Sequence, residues 1–289
     1  MRFDIIYRYE TRDRPARPQP ADSHAARCRL CAGNRAFAAL FEGRAAGETH
    51  RAETIVEFDL RDVGLAADRD DAARQRPFAA VLGCADARVP IELIFNEGPN
   101  DLFVLRVAGN GLGSEVLGSL QYAVDNLGDS LRLVVVLGHS GCGAVTTAVD
   151  LFLEPGKYLP IATKHSVRTI VDRLLVVVQA ASRALLQAFG PDIASHPGFR
   201  AALIEAAIVA NAALAAFSIE QDLGPVGPDR LRTVFGVYLL ETRKVWAPGA
   251  DGGEGPGLAS PPANAGDFAD FTEAVVRSPR IRKLLATDV

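Results

Sequence analysis

Two short blocks of this sequence bring together residue types that could hold a metal ion. The first block runs from Cys84 to Arg88 and reads CADAR, and the second runs from His139 to Cys142 and reads HSGC. Two thiolates and one imidazole are three ligands for a tetrahedral zinc ion. Three protein ligands rather than four are typical of a catalytic site that keeps an open coordination position. The blocks therefore predict a catalytic zinc site.

Each of these residues taken alone also has an ordinary structural interpretation. Cys84 could be a small buried side chain, and His139 could be hydrogen-bonded within a loop. Asp86 and Arg88 could form a salt bridge at the end of a strand. Because all of them follow apolar, β-branched runs, the metal site is the favoured interpretation.

Charge balance indicates a role for the aspartate and the arginine. Two thiolates cancel the charge of the dication, so a bound water is acidified less than at a site of three imidazoles. Asp86, two residues after the first cysteine, is placed to accept the proton of a zinc-bound hydroxide and orient its lone pair. Arg88 would form a bidentate pair with Asp86, which keeps the carboxylate ionised and away from the metal.

The elements that must position these residues alternate between strand and helix. Apolar runs predict strands at 78–83, 102–107, 133–138 and 233–240, and a helix with a narrow polar side at 114–126. Such alternation favours an α/β fold with a mostly parallel sheet flanked by helices on both faces. Ligands bind beyond the carboxyl ends of the strands in such sheets, and both blocks lie there.

The remaining segments are predicted to form an N-terminal arm, an insertion and a tail. The arm covers 1–50 and is irregular up to residue 26, with an amphipathic helix at 29–43, and a short strand is possible at 54–58. The helical insertion covers 144–222, with helices at 144–153, 164–189 and 198–221. One catalytic domain is expected over 1–246, followed over 247–289 by a linker (248–266) and a C-terminal helix (268–285), which is expected to dock on the insertion or on a partner subunit.

Composition and charge exclude several classes of protein. The chain has 289 residues, 48% of them hydrophobic and 23% charged, which is ordinary for a globular domain. A net charge of −4 without a basic stripe argues against a nucleic-acid partner. No apolar run reaches the roughly 18–20 residues of a membrane span. The longest, 201–216, contains Glu205 and Asn211 and predicts a buried helix.

The start of the chain has no apolar segment ahead of a small-residue cleavage site. We therefore expect a cytoplasmic location. In that reducing compartment the four cysteines would serve metal or redox chemistry rather than disulfides.

The CADAR and HSGC blocks, in this order along the sequence, make the chain closely resemble the β-class carbonic anhydrases. The resemblance extends over about residues 30–245 and rests on the segments Gln75–Pro77, Cys84–Val89, Phe103–Asn110, Tyr122–Val124, Gly138–Ala144 and Gly236–Tyr238. It implies a zinc lyase that reversibly hydrates carbon dioxide to bicarbonate and a proton. It also implies that Cys84, His139 and Cys142 are the zinc ligands, with the Asp86–Arg88 dyad orienting the zinc-bound hydroxide.

The resemblance further implies a substrate pocket formed by Gln75, Phe103, Ala108, Tyr122 and Gly143. In that family the pocket lies at a dimer interface, so the glutamine or either aromatic residue could serve the partner's zinc. Core packing of the aromatic residues and a loop position for the glutamine are the ordinary alternatives. A homodimer or larger homo-oligomer is expected, because a monomer would leave a sheet edge and the helix at 114–126 partly uncovered.

One departure from the family concerns the fourth metal ligand. Some members close the site with the aspartate and carry a tryptophan for a regulatory bicarbonate at the position that Val81 occupies here. We therefore expect an open site with water as fourth ligand. Ligation by Asp86 at low pH is the alternative.

Two other functions remain open at this stage. A hydrolase of carbon disulfide or carbonyl sulfide would present the same hydroxide to a linear triatomic substrate. A non-catalytic zinc-binding or bicarbonate-sensing protein could keep the fold, although it would not require the Asp86–Arg88 dyad.

Two further motifs are interpreted as structural. Cys28 and Cys31 have the spacing of half a zinc knuckle or of a redox pair, but no second pair completes four ligands. The glycines of 109–113 resemble a weak dinucleotide-binding fingerprint. The acid expected after the next strand is missing, so we interpret these glycines as sites of close backbone packing.

Overall fold

The computed structural model describes residues 3–9, 18–42, 52–58, 74–223, 231–248 and 254–286. Its strands are β1 Phe3–Tyr9, β2 Ala52–Phe58, β3 Ala79–Gly83, β4 Leu102–Arg106, β5 Leu133–His139, β6 Arg232–Tyr238, β7 Val245–Pro248 and β8 Glu254–Pro256. Its α-helices are α1 Ser23–Ala39, α2 Ile91–Phe95, α3 Ser114–Leu127, α4 Gly143–Leu153, α5 Leu159–Ala162, α6 His165–Phe189, α7 Phe199–Leu223, α8 Ala265–Val276 and α9 Pro279–Leu285.

A six-stranded sheet in the order β4-β3-β5-β6-β7-β8 forms the centre of the molecule. The first four of these strands are parallel, and β7 and β8 extend the sheet antiparallel. The α/β fold with a mostly parallel sheet is therefore confirmed. The register places Gly83 opposite both Arg106 and Leu137. The residues that follow β3 thus emerge beside the end of β5.

Helices cover both faces of this sheet because successive residues of a strand face opposite sides. On β3, Val81 packs in a core shared with α1 and α2, whereas Leu82 packs in a core shared with α3, α4, α6 and α7. All of β3 and β5 is buried. Burial on both faces explains why these strands are continuous apolar runs in the sequence.

Helix α7 is the one helix of the described segments that is long and apolar enough to cross a membrane, with a mean hydropathy of 1.9. Inside the protein, 72% of that apolar window is buried. It packs against β5, β6, α4 and α6. This agrees with the buried helix predicted at 201–216.

The C-terminal segment departs from its prediction as a linker. Residues 254–256 form β8, and Ala259 exchanges two backbone hydrogen bonds with Phe235 of β6. The predicted helix over 268–285 is two helices, since Ser278 caps α9 and Pro279 begins it. Both helices pack against the helical insertion: α8 contacts α6 and α7, and α9 contacts α7. Docking on the insertion was one of the two predicted alternatives.

The N-terminal segment also differs from its prediction. Residues 3–9, predicted to be irregular, form β1, which pairs in parallel with β2 in a separate two-stranded sheet. The helix predicted at 29–43 begins earlier, at Ser23, because the Asp22 side chain accepts a hydrogen bond from the amide of Ala25 at 2.7 Å and caps it. The strand expected at 54–58 is present within β2.

Candidate metal site

Cys84, His139 and Cys142 converge at the carboxyl edge of the sheet. Cys84 follows β3, His139 ends β5, and Cys142 immediately precedes α4. Their candidate ligand atoms all lie within 4.8 Å of one another, and all three residues are buried. Both cysteines are free thiols. The two sequence blocks therefore form one site because parallel strands end at the same edge.

The imidazole of His139 is oriented for ligation through Nε2. Its Nδ1 lies 3.0 Å from the carbonyl oxygen of Ser140 and can donate to it. Its Nε2 is buried and has no hydrogen-bond partner among the described residues. Buried polar atoms are nearly always satisfied, so an unpartnered ring nitrogen beside two thiols indicates a missing ligand. Two sulfurs and one imidazole nitrogen fit zinc.

The two thiols do not ionise together in the absence of a cation. A hydrogen bond from Cys142 lowers the pKa of Cys84 below its usual value, against the opposing effect of burial. The same hydrogen bond and burial raise the pKa of Cys142 well above its usual range. Cys142 thus keeps its proton beside a thiolate. A dication would allow both sulfurs to ionise, which again fits a metal site.

The turn after β4 supports Cys84. The amide of Gly109 donates a hydrogen bond to Sγ of Cys84 at 3.4 Å, and Asn211 of α7 donates to the carbonyl oxygen of Gly109 at 2.9 Å. Gly109 has φ +63°, and a Cβ there would lie 3.1 Å from the Cβ of Ala144. The absence of a side chain lets this turn approach the thiol, which agrees with the close-packing interpretation of the glycines.

Asp86 and Arg88 form the predicted bidentate pair beside the cluster. Nε of Arg88 donates to Oδ1 of Asp86 at 2.9 Å, and its terminal nitrogen donates to Oδ2 at 2.7 Å. These bonds hold the pKa of Asp86 well below its usual range. Oδ2 of Asp86 lies 3.8 Å from Nε2 of His139. An ionised carboxylate therefore stands next to the cluster with both oxygens engaged by arginine.

The structure brings two of the five predicted pocket residues to this site. Ala108 immediately precedes the glycine that contacts Cys84, and Gly143 immediately follows Cys142. Ala108 lies in the turn after β4, and Gly143 is the first residue of α4.

The other three predicted pocket residues lie away from the cluster of their own chain. Gln75 is exposed and precedes β3, whereas Cys84 follows that strand, whose five residues span about 17 Å. Phe103 is half-buried and pairs with Ala80, near the start of β3. The side chain of Tyr122 on α3 is exposed. The role of these three residues in a substrate pocket therefore remains a prediction.

Three residues near the site were not predicted from the sequence to have a role there. Glu205, Glu241 and Arg280 form hydrogen bonds behind the loop that carries His139 and Cys142. The only signal in the sequence was a glutamate within the apolar stretch of α7. It served there only as an argument against a membrane span.

The other cysteine pair lies outside this cluster. Cys28 is exposed, with its sulfur 3.5 Å from Nε2 of His24, and Cys31 is half-buried. Within the described ranges, a single cluster contains three or more potential metal ligands, the one at Cys84, His139 and Cys142. The structural interpretation of Cys28 and Cys31 remains a prediction.

Comparison with known proteins agrees with this site. A family model described as "Carbonic anhydrase" matches residues 79–212, which include the three candidate ligands and the Asp–Arg pair. Carbonic anhydrase 2 of Mycobacterium tuberculosis is 45% identical over 106 residues, covering 36% of this chain and 46% of that protein. The carbonic anhydrase of Mycolicibacterium smegmatis is 39% identical over 122 residues, covering 42% of this chain and 56% of that protein.

The solved structure of the β-carbonic anhydrase CcaA is similar with a TM-score of 0.42 at 24% identity, covering 60% of this chain and 74% of that chain. The chain spans about half the length of the curated relatives it matches. The family model and these relatives confirm the resemblance to the β-class carbonic anhydrases.

Proposed function

We propose that this protein is a zinc-dependent carbonic anhydrase that reversibly hydrates carbon dioxide to bicarbonate and a proton. One observation carries the proposal. Cys84, His139 and Cys142 converge with an unpartnered imidazole nitrogen, next to an arginine-paired Asp86, in a segment that matches the carbonic anhydrase family model. A purely structural metal site would have no use for that aspartate.

The chemistry divides between the metal and the chain. Cys84, His139 and Cys142 would hold a zinc ion, which would supply a water-derived nucleophile near neutral pH. Asp86 remains ionised through its pair with Arg88, so it accepts a hydrogen bond from the nucleophile and turns a lone pair toward the substrate. His139 keeps its orientation through the carbonyl oxygen of Ser140.

The Asp86–Arg88 pair also supports an open fourth coordination position. Both carboxylate oxygens accept hydrogen bonds from Arg88, and Asp86 is not among the residues whose ligand atoms cluster within 4.8 Å. Ligation by Asp86 would require these bonds to break. We therefore propose that Asp86 stays paired with Arg88 and would not act as a metal ligand.

We further propose a homo-oligomer, at least a dimer, in the cytoplasm. Strand β4 is the edge of the main sheet as described, and Tyr122 on α3 is exposed. An uncovered edge strand invites pairing or cover by another chain. Gln75, Phe103 and Tyr122 lie away from their own metal cluster, which is consistent with a role at a partner's site. All four cysteines are free, as expected in a reducing compartment.

The test is carbon dioxide hydration by stopped flow, together with metal analysis of the purified protein. We expect one zinc per chain and rapid hydration in the wild type. Asp86→Asn should keep the zinc and lose about 10²-fold or more in kcat/KM, because the amide cannot accept a hydrogen bond in the same way. Cys84→Ser should lose the metal, whereas Cys28→Ser, at an exposed cysteine, should behave as the wild type.

A zinc-loaded wild type that does not hydrate carbon dioxide would refute the proposal. A parallel assay for sulfide release from carbon disulfide and carbonyl sulfide would then identify the alternative hydrolase. Loss of zinc in Asp86→Asn would show that the aspartate holds the metal rather than orienting the nucleophile.

A further inference from the structure

An arginine of the C-terminal helix α9 joins two carboxylates behind the candidate metal site. Arg280 donates from Nε and from one terminal nitrogen to Oε2 of Glu205 on α7, at 3.1 and 2.6 Å. Its other terminal nitrogen donates to Oε1 of Glu241, which follows β6, at 2.6 Å. Three segments distant in sequence therefore meet at one guanidinium.

Each carboxylate uses its remaining oxygen to hold the loop between the metal ligands. Oε1 of Glu205 accepts a hydrogen bond from the amide of Gly141 at 3.0 Å. Oε2 of Glu241 accepts one from the hydroxyl of Ser140 at 2.9 Å, and that hydroxyl also accepts from the amide of Leu240. The two residues between His139 and Cys142 are thus both hydrogen-bonded to carboxylates: Ser140 through its side chain and Gly141 through its backbone amide.

The geometry of this loop needs such support. Gly141 has φ +62°, and a loop with this backbone must turn within two residues to bring a histidine and a cysteine to one ion. The side chains of Arg280 and Glu205 are only 19% and 13% exposed. The Glu205 carboxylate is therefore mostly buried, and leaving it without a cation would be costly, whereas the Glu241 side chain is 52% exposed and is held by hydrogen bonds from Arg280 and Ser140.

We propose that Arg280 is a positioning residue for the metal site and that Arg280, Glu205 and Glu241 act as one clamp on the loop from His139 to Cys142. Each of the three acts on the ligands through Ser140 or Gly141 rather than by direct contact with the candidate ligand atoms. The catalytic part of this inference rests on the proposed function, but its effect on metal binding does not. It assigns the C-terminal helix a role in the site.

The test compares Arg280→Ala with Arg277→Ala in the full-length protein. Arg277 is a matched control, since it is also ion-paired near the end of α8 but bonds the exposed Glu273 four residues earlier. We expect Arg280→Ala to bind zinc about 10–100-fold more weakly in competition with a chelator, as for other residues that orient metal ligands. Arg277→Ala should bind zinc as the wild type does.

Two further measurements separate positioning from general stability. In metal-free protein, hydrogen exchange followed by mass spectrometry should be faster in Arg280→Ala for the peptide containing Ser140 and Gly141, and unchanged in Arg277→Ala. Cobalt(II)-substituted Arg280→Ala should show altered thiolate-to-metal absorption. Arg280→Lys should restore only part of the affinity, because one ammonium cannot form the same fork with two carboxylates.

The outcomes distinguish this inference from the proposed function. A wild type that binds zinc without hydrating carbon dioxide refutes the proposed function. The zinc affinities of Arg280→Ala and Arg277→Ala would still test whether the clamp exists. If the wild type binds no metal, the exchange of the loop in metal-free protein decides it. Equal zinc affinity and equal exchange of the loop in Arg280→Ala and Arg277→Ala would overturn the clamp.

Discussion

At the scale of single residues, the candidate site depends on where side chains are absent as much as on where they are present. Gly109 brings its amide to the Cys84 sulfur only because it has a positive φ and no Cβ. Backbone amides that bond to a thiolate stabilise its ionised form, and the Gly109 amide contributes to the low pKa of Cys84. The backbone thus helps to prepare one metal ligand.

Gly109→Ala is the first prediction at this scale. We expect it to lower the free energy of unfolding by about 1–2 kcal/mol, because an L-residue at φ +63° is strained and its Cβ would crowd Ala144. Chemical denaturation of metal-free protein measures this. Gly118→Ala is the matched control.

The control should change stability in the opposite direction. Gly118 lies in α3, and nothing lies within 4 Å of the place that a Cβ would take. Alanine there should therefore stabilise the helix by about 0.5–1 kcal/mol. Equal effects of the two substitutions would contradict the strain argument at Gly109.

At the scale of elements, the insertion helices α4 and α7 pack against each other and are also joined by an ion pair. Arg200 of α7 forms a bidentate pair with Asp150 of α4, at 2.7 and 2.9 Å. Because Cys142 immediately precedes α4, this pair helps to fix the helix that follows a metal ligand. The hydrogen bonds from Arg200 lower the pKa of Asp150.

The Asp150–Arg200 pair predicts a pH-dependent contribution to stability. A lowered pKa in the folded state means that the contribution is present above the unfolded pKa of about 3.9 and is lost as the pH falls through the folded pKa. Asp150→Asn should therefore lower the free energy of unfolding by about 0.2–1 kcal/mol at neutral pH, since both side chains are partly exposed. The difference from the wild type should vanish in acid.

Denaturation of metal-free wild type and Asp150→Asn at neutral and acid pH measures this difference. Glu273→Gln is the comparison, because its partner Arg277 immediately follows the same helix, α8, and this ion pair joins no two helices of the core. If Asp150→Asn lowered the free energy of unfolding by the same amount at every pH, the ion pair would not be the cause of the loss.

At the scale of the whole molecule, the proposed oligomer predicts a different effect for two exposed apolar residues. Tyr122 on α3 is 54% exposed, and Leu159 on α5 is 76% exposed. If α3 and the β4 edge form the interface between subunits, Tyr122→Arg should reduce the size of the particle and the rate of carbon dioxide hydration. Leu159→Arg should change neither.

Analytical ultracentrifugation of the two variants, with hydration assays on the same samples, tests this interface. A wild type that is monomeric at all concentrations would refute the oligomer. An assembled Tyr122→Arg variant with normal activity would move the interface to another face.

The metal ligands could be predicted because they depend on local features. Each ligand follows an apolar strand, and parallel strands end at a common edge, so residue type and strand position together placed Cys84, His139 and Cys142. The Asp86–Arg88 pair is similarly local, with both residues in one turn. These predictions did not require knowledge of any distant contact.

Features that depend on long-range pairing were not predictable in the same way. The β8 strand in a segment expected to be a linker, and the Arg280 clamp, involve residues that meet only after the sheet and α7 have packed. A glycine- and proline-rich segment has no periodicity that indicates a strand. An arginine in a C-terminal helix likewise has no local mark that identifies its partners.

Helix α7 contacts the loop that carries Cys142, through Glu205 to Gly141, and the turn after β4, through Asn211 to Gly109, whose amide bonds the Cys84 sulfur. Its other residues are largely buried in the core, so the helix cannot shift without disturbing the packing against β5 and β6. We therefore expect the donor atoms of the proposed metal site to be arranged by folding of the polypeptide itself. Capture of the ion should then proceed with little rearrangement, and its release should leave the surrounding backbone nearly unchanged in shape.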